Sequence, residues 1–169
     1  MPIHLEDLDV LSGVNGLKTA LIVPCNMCPA VTVAVKQDRP FIQLFRKFLK
    51  SPPFSEYVDA LQKQLSDAGV TSSVFRSDLP HQWFVCMWTA GRRRKLKSTV
   101  NEYDAAIVLG CDTATETVRE STSGTNCRVI EGMEVTGFMN ARMSLSFPCD
   151  ICFSNCRTVP LPSRKDESN

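Results

Sequence analysis

The chain has 169 residues, 43% apolar and 22% charged, with a formal net charge of +1. That length is enough for one domain with a full core and too short for two ordinary ones. The near-neutral balance gives no support to bulk disorder, nucleic-acid wrapping or an acidic-substrate funnel.

No apolar run approaches the roughly 20 residues that cross a bilayer. The opening residues lack the basic flank, apolar core and cleavage site of a secretory leader. The expected setting is therefore cytoplasmic, with neither membrane nor nucleic acid as partner. Eight cysteines are many for this length. In a reducing compartment they read as ligands, redox groups or core residues rather than a disulfide framework.

Residues 1–16 mix acidic and apolar side chains and reach turn signals at Gly13 and Gly16, so they are read as a docked N-terminal arm. Residues 17–159 are read as a single α/β domain, and 160–169, rich in Pro, Ser and charge, as a mobile tail. The first strand is the short, β-branched run 19–23, apolar enough to be covered on both faces. It leads directly into Cys25 and Cys28, a Cys-x-x-Cys turn, and Pro29 then fits the first turn of a helix. A cysteine at that position gains thiolate character from the unpaired N–H groups and the helix dipole. Residues 30–35 suit a short helix or an extended segment, and the helix is preferred.

Phe41, Ile42, Leu44, Phe45, Phe48 and Leu49 recur at helical spacing and predict a second helix. Its apolar stripe is assigned to core packing, with a partner surface as the alternative. Phe54, Tyr57, Val58, Leu61 and Leu65 predict a third, closed by Gly69. Residues 70–75 form the second strand. The aromatic stretch 81–88, with His81, Trp83 and Cys86, has no clean period and suits a loop or a short buried strand. Thr89 caps a helix whose basic run, Arg92 to Lys97, reads as a solvated face, with phosphate or partner docking as the alternative.

Residues 104–110 are the third buried strand and end at Cys111, and Thr113 with Glu116 makes a capping box for the next helix, closed by Gly124. Residues 127–135 and 143–153 read as a fourth and a fifth strand. The alternation implies a three-layer Rossmann-like or flavodoxin-like sandwich. Its sheet is mostly parallel, of about five strands, with an antiparallel C-terminal edge allowed. Neither a G-x-G-x-x-G fingerprint nor a Walker lysine is present, which argues against a dinucleotide or nucleoside triphosphate bound in the usual manner.

Ligands of open α/β sheets gather beyond the carboxyl ends of the strands. Cys25, Cys28 and Cys111 leave strand ends there, and Cys86 lies in a connection that reaches the same rim. Four thiols match the ligand count of an iron–sulfur cluster or a structural zinc. Two isolated cysteines in place of a second Cys-x-x-Cys knuckle favour iron and sulfur.

The leading expectation is thus a small metal-thiolate protein, suited to an anaerobic setting. It would bind an iron–sulfur cluster for electron transfer to a protein partner or larger complex, or for Lewis-acid chemistry. A thiol redox or sulfur-transfer enzyme using Cys25 and Cys28 is the second reading. An accessory subunit, homo-oligomeric or docked on another protein, with structural zinc or merely buried cysteines, is the third. Cys28, Asp112 and His81 are the candidates for chemistry, although Asp112 suits a helix-entry cap equally well. Glu131 and Glu134 are further proton carriers.

Cys127 begins a strand and is assigned to the core at the opposite end of the sheet. A continuous strand over 143–153 puts Cys149 and Cys152 on opposite faces, so Cys149, Cys152 and Cys156 read as structural. A break at Pro148 would instead make them a second site short of one ligand.

Overall fold

Strand β2 (Thr19–Pro24) lies between two parallel neighbours, β4 (Thr71–Val74) and β5 (Ala105–Leu109), and β6 (Arg128–Glu131) completes a sheet in the order β4-β2-β5-β6. In β2 and β5 the residues Ala20 to Val23 and Ala105 to Leu109 are all buried, which explains their unbroken apolar runs. The computed structural model describes residues 3–43, 51–76, 83–147 and 150–161, apart from the side chain of Asn155.

Helix α2 (Cys28–Lys36) packs with α3 (Pro52–Asp67), and α4 (Ala90–Val100) packs with α5 (Asp112–Thr122). The chain reverses its direction of travel across the sheet after β4. Right-handed crossovers therefore put the two helix pairs on opposite faces.

A second, antiparallel and curled sheet has the order β1-β7-β8-β3, built from β1 (Ile3–Asp7), β7 (Met133–Ser146), β8 (Asp150–Pro160) and β3 (Ile42–Gln43). Helix α2 touches both β1 and β8. Its residues Pro29 to Ala34 are buried without interruption, because one side faces the parallel sheet and the other this second layer. Thr32 Oγ1 donates to the Ile3 carbonyl at 3.2 Å and ties the layers together.

The expected single, mostly parallel sandwich is therefore overturned. Three local features account for the difference. The run 127–135 is not one strand: β6 ends at Glu131, Gly132 turns the chain, and β7 begins at Met133 in the other sheet. A Cβ at Gly132 would lie 2.7 Å from Leu109 Cδ2 and 3.1 Å from the Val108 carbonyl oxygen, so the crossing between sheets passes close against β5. The run 143–153 is likewise broken, with Ser146 ending β7 and Asp150 starting β8, and the two strands return on each other as a long hairpin. Finally, the N-terminal arm contributes β1, paired with β7 from Ile3 to Asp7, followed by the short helix α1 (Val10–Gly13).

Other expectations are corrected at single residues. Ile42 and Gln43 are extended and pair with Ile151 and Asp150, so the helix read over 41–49 does not begin there; residues 44–50 lie outside the described residues. Helix α5 is capped by Cys111, not Thr113, and Asp112 is its first helical residue. The basic run of α4 is not wholly solvated. Arg92 is 7% exposed, its guanidinium 4.5 Å from the Phe75 ring centroid and 5.6 Å from that of Trp88. Its Nη2 donates to the Arg76 carbonyl at 2.9 Å. Thr89, by contrast, caps α4 as its sequence suggests, accepting from the Arg92 N–H.

Candidate functional site

The carboxyl ends of β2 and β5 are locked in register through Pro24 opposite Leu109, and the Cys25 N–H extends the ladder by donating to the Leu109 carbonyl at 2.9 Å. Cys25 and Cys111 therefore leave adjacent strands side by side. Gly110 makes the approach close: a Cβ there would lie 3.7 Å from Cys25 Cβ and 2.7 Å from Ala114 Cβ. Cys111 caps α5, and Cys28 is the first residue of α2 after its cap Met27. Both loops thus run into helix N-termini at the same edge.

The fourth cysteine arrives on the connection after β4. Val85–Met87 forms a 3₁₀ turn packed on α5, with Val85 buried beneath it. This turn carries Cys86. The preceding Trp83 carbonyl accepts from Cys25 Sγ at 3.5 Å, which fastens the connection to the Cys-x-x-Cys loop. Phe41 then bridges outward, its ring 5.9 Å from Trp83 and 5.6 Å from Phe153 of the hairpin.

Burial dominates the electrostatics. It pushes the Cys25 thiol up to about 12, against backbone hydrogen bonds at Val85 and Met27, and charges on Cys28 and Cys111 would raise it further. Burial also raises Cys28, with Cys111 and Cys86 adding to it and a backbone hydrogen bond at Ile3 opposing it. Cys86 is raised by burial and then by Cys111. Every one of the four thiols is thus within electrostatic reach of at least two others. The expectation that the helix N-terminus makes Cys28 an acidic thiol is corrected: burial is the largest influence on this thiol and raises it.

The remaining sequence candidates are dispersed. Cys127 lies just before β6, at the amino end of the parallel sheet, where burial and Asp104 push its thiol up to about 11. Cys152 and Cys156 are on β8, Cys152 paired with Ser144 and its sulfur 3.7 Å from Ser146 Oγ, and Cys156 beside the irregularity in the β7–β8 register. The strand break near Pro148 removes the opposite-face argument once applied to this trio; Cys149 itself, like His81, lies outside the described residues. Asp112 is exposed at the start of α5. His4 is engaged elsewhere, its Nδ1 2.8 Å from Thr136 Oγ1 across β1 and β7.

Among the described residues, no three His, Cys, Asp or Glu side chains stand in positions from which they could hold a metal ion. Among those residues also, no helix is long and apolar enough to cross a membrane. No protein-family model matches the chain, and no curated protein matches it.

Sequence reasoning missed Trp83 and Arg92 as organisers of this edge. Trp83 carries the carbonyl that meets Cys25, and Arg92 holds the end of β4 against α4. The available signal for Arg92 was its place three residues after the cap Thr89, where a side chain lies over the helix entrance instead of on the outer face.

Proposed function

We propose that the chain holds a metal–thiolate centre, an iron–sulfur cluster, through Cys25, Cys28, Cys86 and Cys111, and exchanges electrons through it with a protein partner in a reducing, cytoplasmic setting. What supports this reading is that three separate connections bearing the four cysteines run out at the same carboxyl edge of the parallel sheet, near enough for their thiols to raise one another. Buried thiols that raise one another are poor nucleophiles at neutral pH, which weighs against a thiol enzyme using Cys25 and Cys28. A metal cation reverses that balance, because a coordinating thiol gives up its proton outright.

Loading requires the side chains to turn toward one another, with Cys25 exchanging the Trp83 carbonyl for metal. Backbone hydrogen bonds at Val85 and Met27 already favour the thiolate form of Cys25, and such bonds to sulfur tune cluster potentials. Beside Cys86, Phe84 and Met87 are 40% and 68% exposed. This apolar rim suits a partner that docks over the centre.

Anaerobically purified protein is expected to be brown and to contain iron with acid-labile sulfide. Cys28→Ser and Cys111→Ser should each lose most of it, while Cys127→Ser and Cys152→Ser retain it. Colourless protein with stoichiometric zinc would replace the cluster by a structural ion. Full metal content in Cys28→Ser or Cys111→Ser would reject the ligand set.

A further inference from the structure

The outer edge of β7 is covered over only part of its length. β1 pairs with it from Met133 to Phe138 and reaches no further than Ile3. β7 then continues to Ser146 with β8 on its other side. Among the described residues, no strand lies against the outward backbone of Asn140 to Ser146. The N–H and C=O groups along such an edge are a template for a further strand.

Apolar side chains line the same stretch. Met143 and Leu145 stand opposite Phe153 and Ile151 of β8, which places all four on one face, and Phe147 follows just past the strand. On the β8 side that face is closed, with the Phe41 ring against Phe153 and Ile42 paired with Ile151. Beside the free edge it is open: Met143, Leu145 and Phe147 are 63%, 74% and 98% exposed.

β8 also runs on past its outer neighbour β3, but there the edge is guarded. Asn140 to Arg142 on β7 is matched by Ser154 to Arg157 on β8, so the extra residue, a bulge, belongs to β8. Arg157 and Pro160 follow it. A bulge, a charge and a proline all discourage further pairing. From Met139 to Ser146, β7 has a single charge, Arg142, and no proline. An unguarded edge beside exposed apolar side chains aggregates unless a specific partner takes it.

The residues of the edge suit a second copy of this chain. Two copies of β7 related by a two-fold axis pair antiparallel, and the one freedom left is which residue lies on the axis. With Arg142 there, two guanidinium groups face each other. With Ser144 there, pairing extends only from Arg142 to Ser146 before the strand ends. With Met143 there, the whole open edge is used, Asn140 to Ser146 against Ser146 to Asn140. Met143 then meets its own copy, Leu145 faces Ala141, and Arg142 faces Ser144. We propose that β7 joins β7 of a second copy about a two-fold axis at Met143, making one continuous sheet across a homodimer. The edge backbone and the side chains beside it cover on the order of 1,000 Å² over both copies, the size at which specific interfaces begin. The pairing uses none of Cys25, Cys28, Cys86 and Cys111, so it does not rest on the metal assignment.

The test is sedimentation equilibrium of the full chain from about 1 to 200 µM, in reducing buffer so that no disulfide links the copies. Unsubstituted protein should be dimeric at the upper end and dissociate on dilution, as a small interface does. Amide hydrogen exchange over residues 140–146 should slow as concentration rises. Met143→Lys and Met143→Glu each put like charges on the axis and should raise the dissociation constant at least about ten-fold. Both should keep the circular dichroism of the parent, because Met143 is exposed in the single chain. An equimolar mixture of the two variants should recover the dimer, since opposite charges then meet on the axis. A monomer throughout the range, the result if a different protein covers this edge, would overturn the proposal. A dimer that neither substitution weakens, exchange over 140–146 that ignores concentration, or a mixture that stays monomeric would overturn it equally.

Discussion

Two regions of this molecule carry cysteines in quite different ways. At the carboxyl edge of the parallel sheet they sit on connections whose ends are held by buried strands, a backbone hydrogen bond and a close glycine contact. In the β7–β8 hairpin Cys152 and Cys156 sit within a strand whose far end stands in solvent, with Met143, Leu145 and Phe147 from 63% to 98% exposed. Spacing in the text is similar in both, each containing a Cys-x-x-Cys. What separates them is that register in a buried sheet fixes where a connection begins, whereas an exposed hairpin has little packing to hold its side chains in place.

The contrast can be broken by substitution. Ile107→Ala empties a fully buried position between β2 and β6 and should cost about 2–5 kcal/mol, measured by denaturant unfolding. It should also weaken any centre held at the edge, because Cys25 and Cys111 depend on the β2–β5 register. Arg92→Ala removes two ring contacts and a charged hydrogen bond from a buried site, with an expected cost of about 2–4 kcal/mol. A cost under about 0.5 kcal/mol would mean that the basic run is a solvated face after all. Gly110→Ala should cost about 1–3 kcal/mol by overpacking against Ala114, and its second effect, spreading Cys25 from Cys111, should appear as lowered metal content.

The amino end of the parallel sheet has a pH signature. Asp104 accepts from the Lys18 N–H, the Thr19 N–H and the Thr19 hydroxyl at 2.8, 2.9 and 3.1 Å, and these bonds hold its carboxyl below the usual range. Its contribution is therefore complete above the ordinary carboxylate pKa and is lost as pH falls through the lowered value in the folded state. Melting temperature should accordingly fall less steeply below about pH 4 in Asp104→Asn than in the unsubstituted protein. The smallest effect belongs to the hairpin. Leu145→Ser, at a side chain 74% exposed, should change the stability of the separate protomer by no more than about 0.5 kcal/mol. A larger loss would show that the hairpin is packed as the parallel sheet is.

Much of the parallel half was legible because its signals are local. The run 19–23, the run 104–110, the stripe of α3 and the cap at Thr89 each state their own structure within a few residues, by period, burial and capping chemistry. The rim position of Cys25, Cys28 and Cys111 followed from strand direction alone. The antiparallel half was misread because its determinants are not local. Apolar alternation over 143–153 is the same whether the strand continues or folds back, and nothing near Gly132 says that Met133 belongs to a different sheet.

The amino-acid sequence by itself determined which segments are strands buried on both faces and on which connections the cysteines lie, since periodicity and turn chemistry act between near neighbours. The tertiary structure alone decided that β1, β3, β7 and β8 form a separate layer over α2, that Arg92 turns inward, and that β7 outruns β1 along its outer edge. Each of these depends on contacts between residues far apart in the chain, where packing and desolvation outweigh local preference.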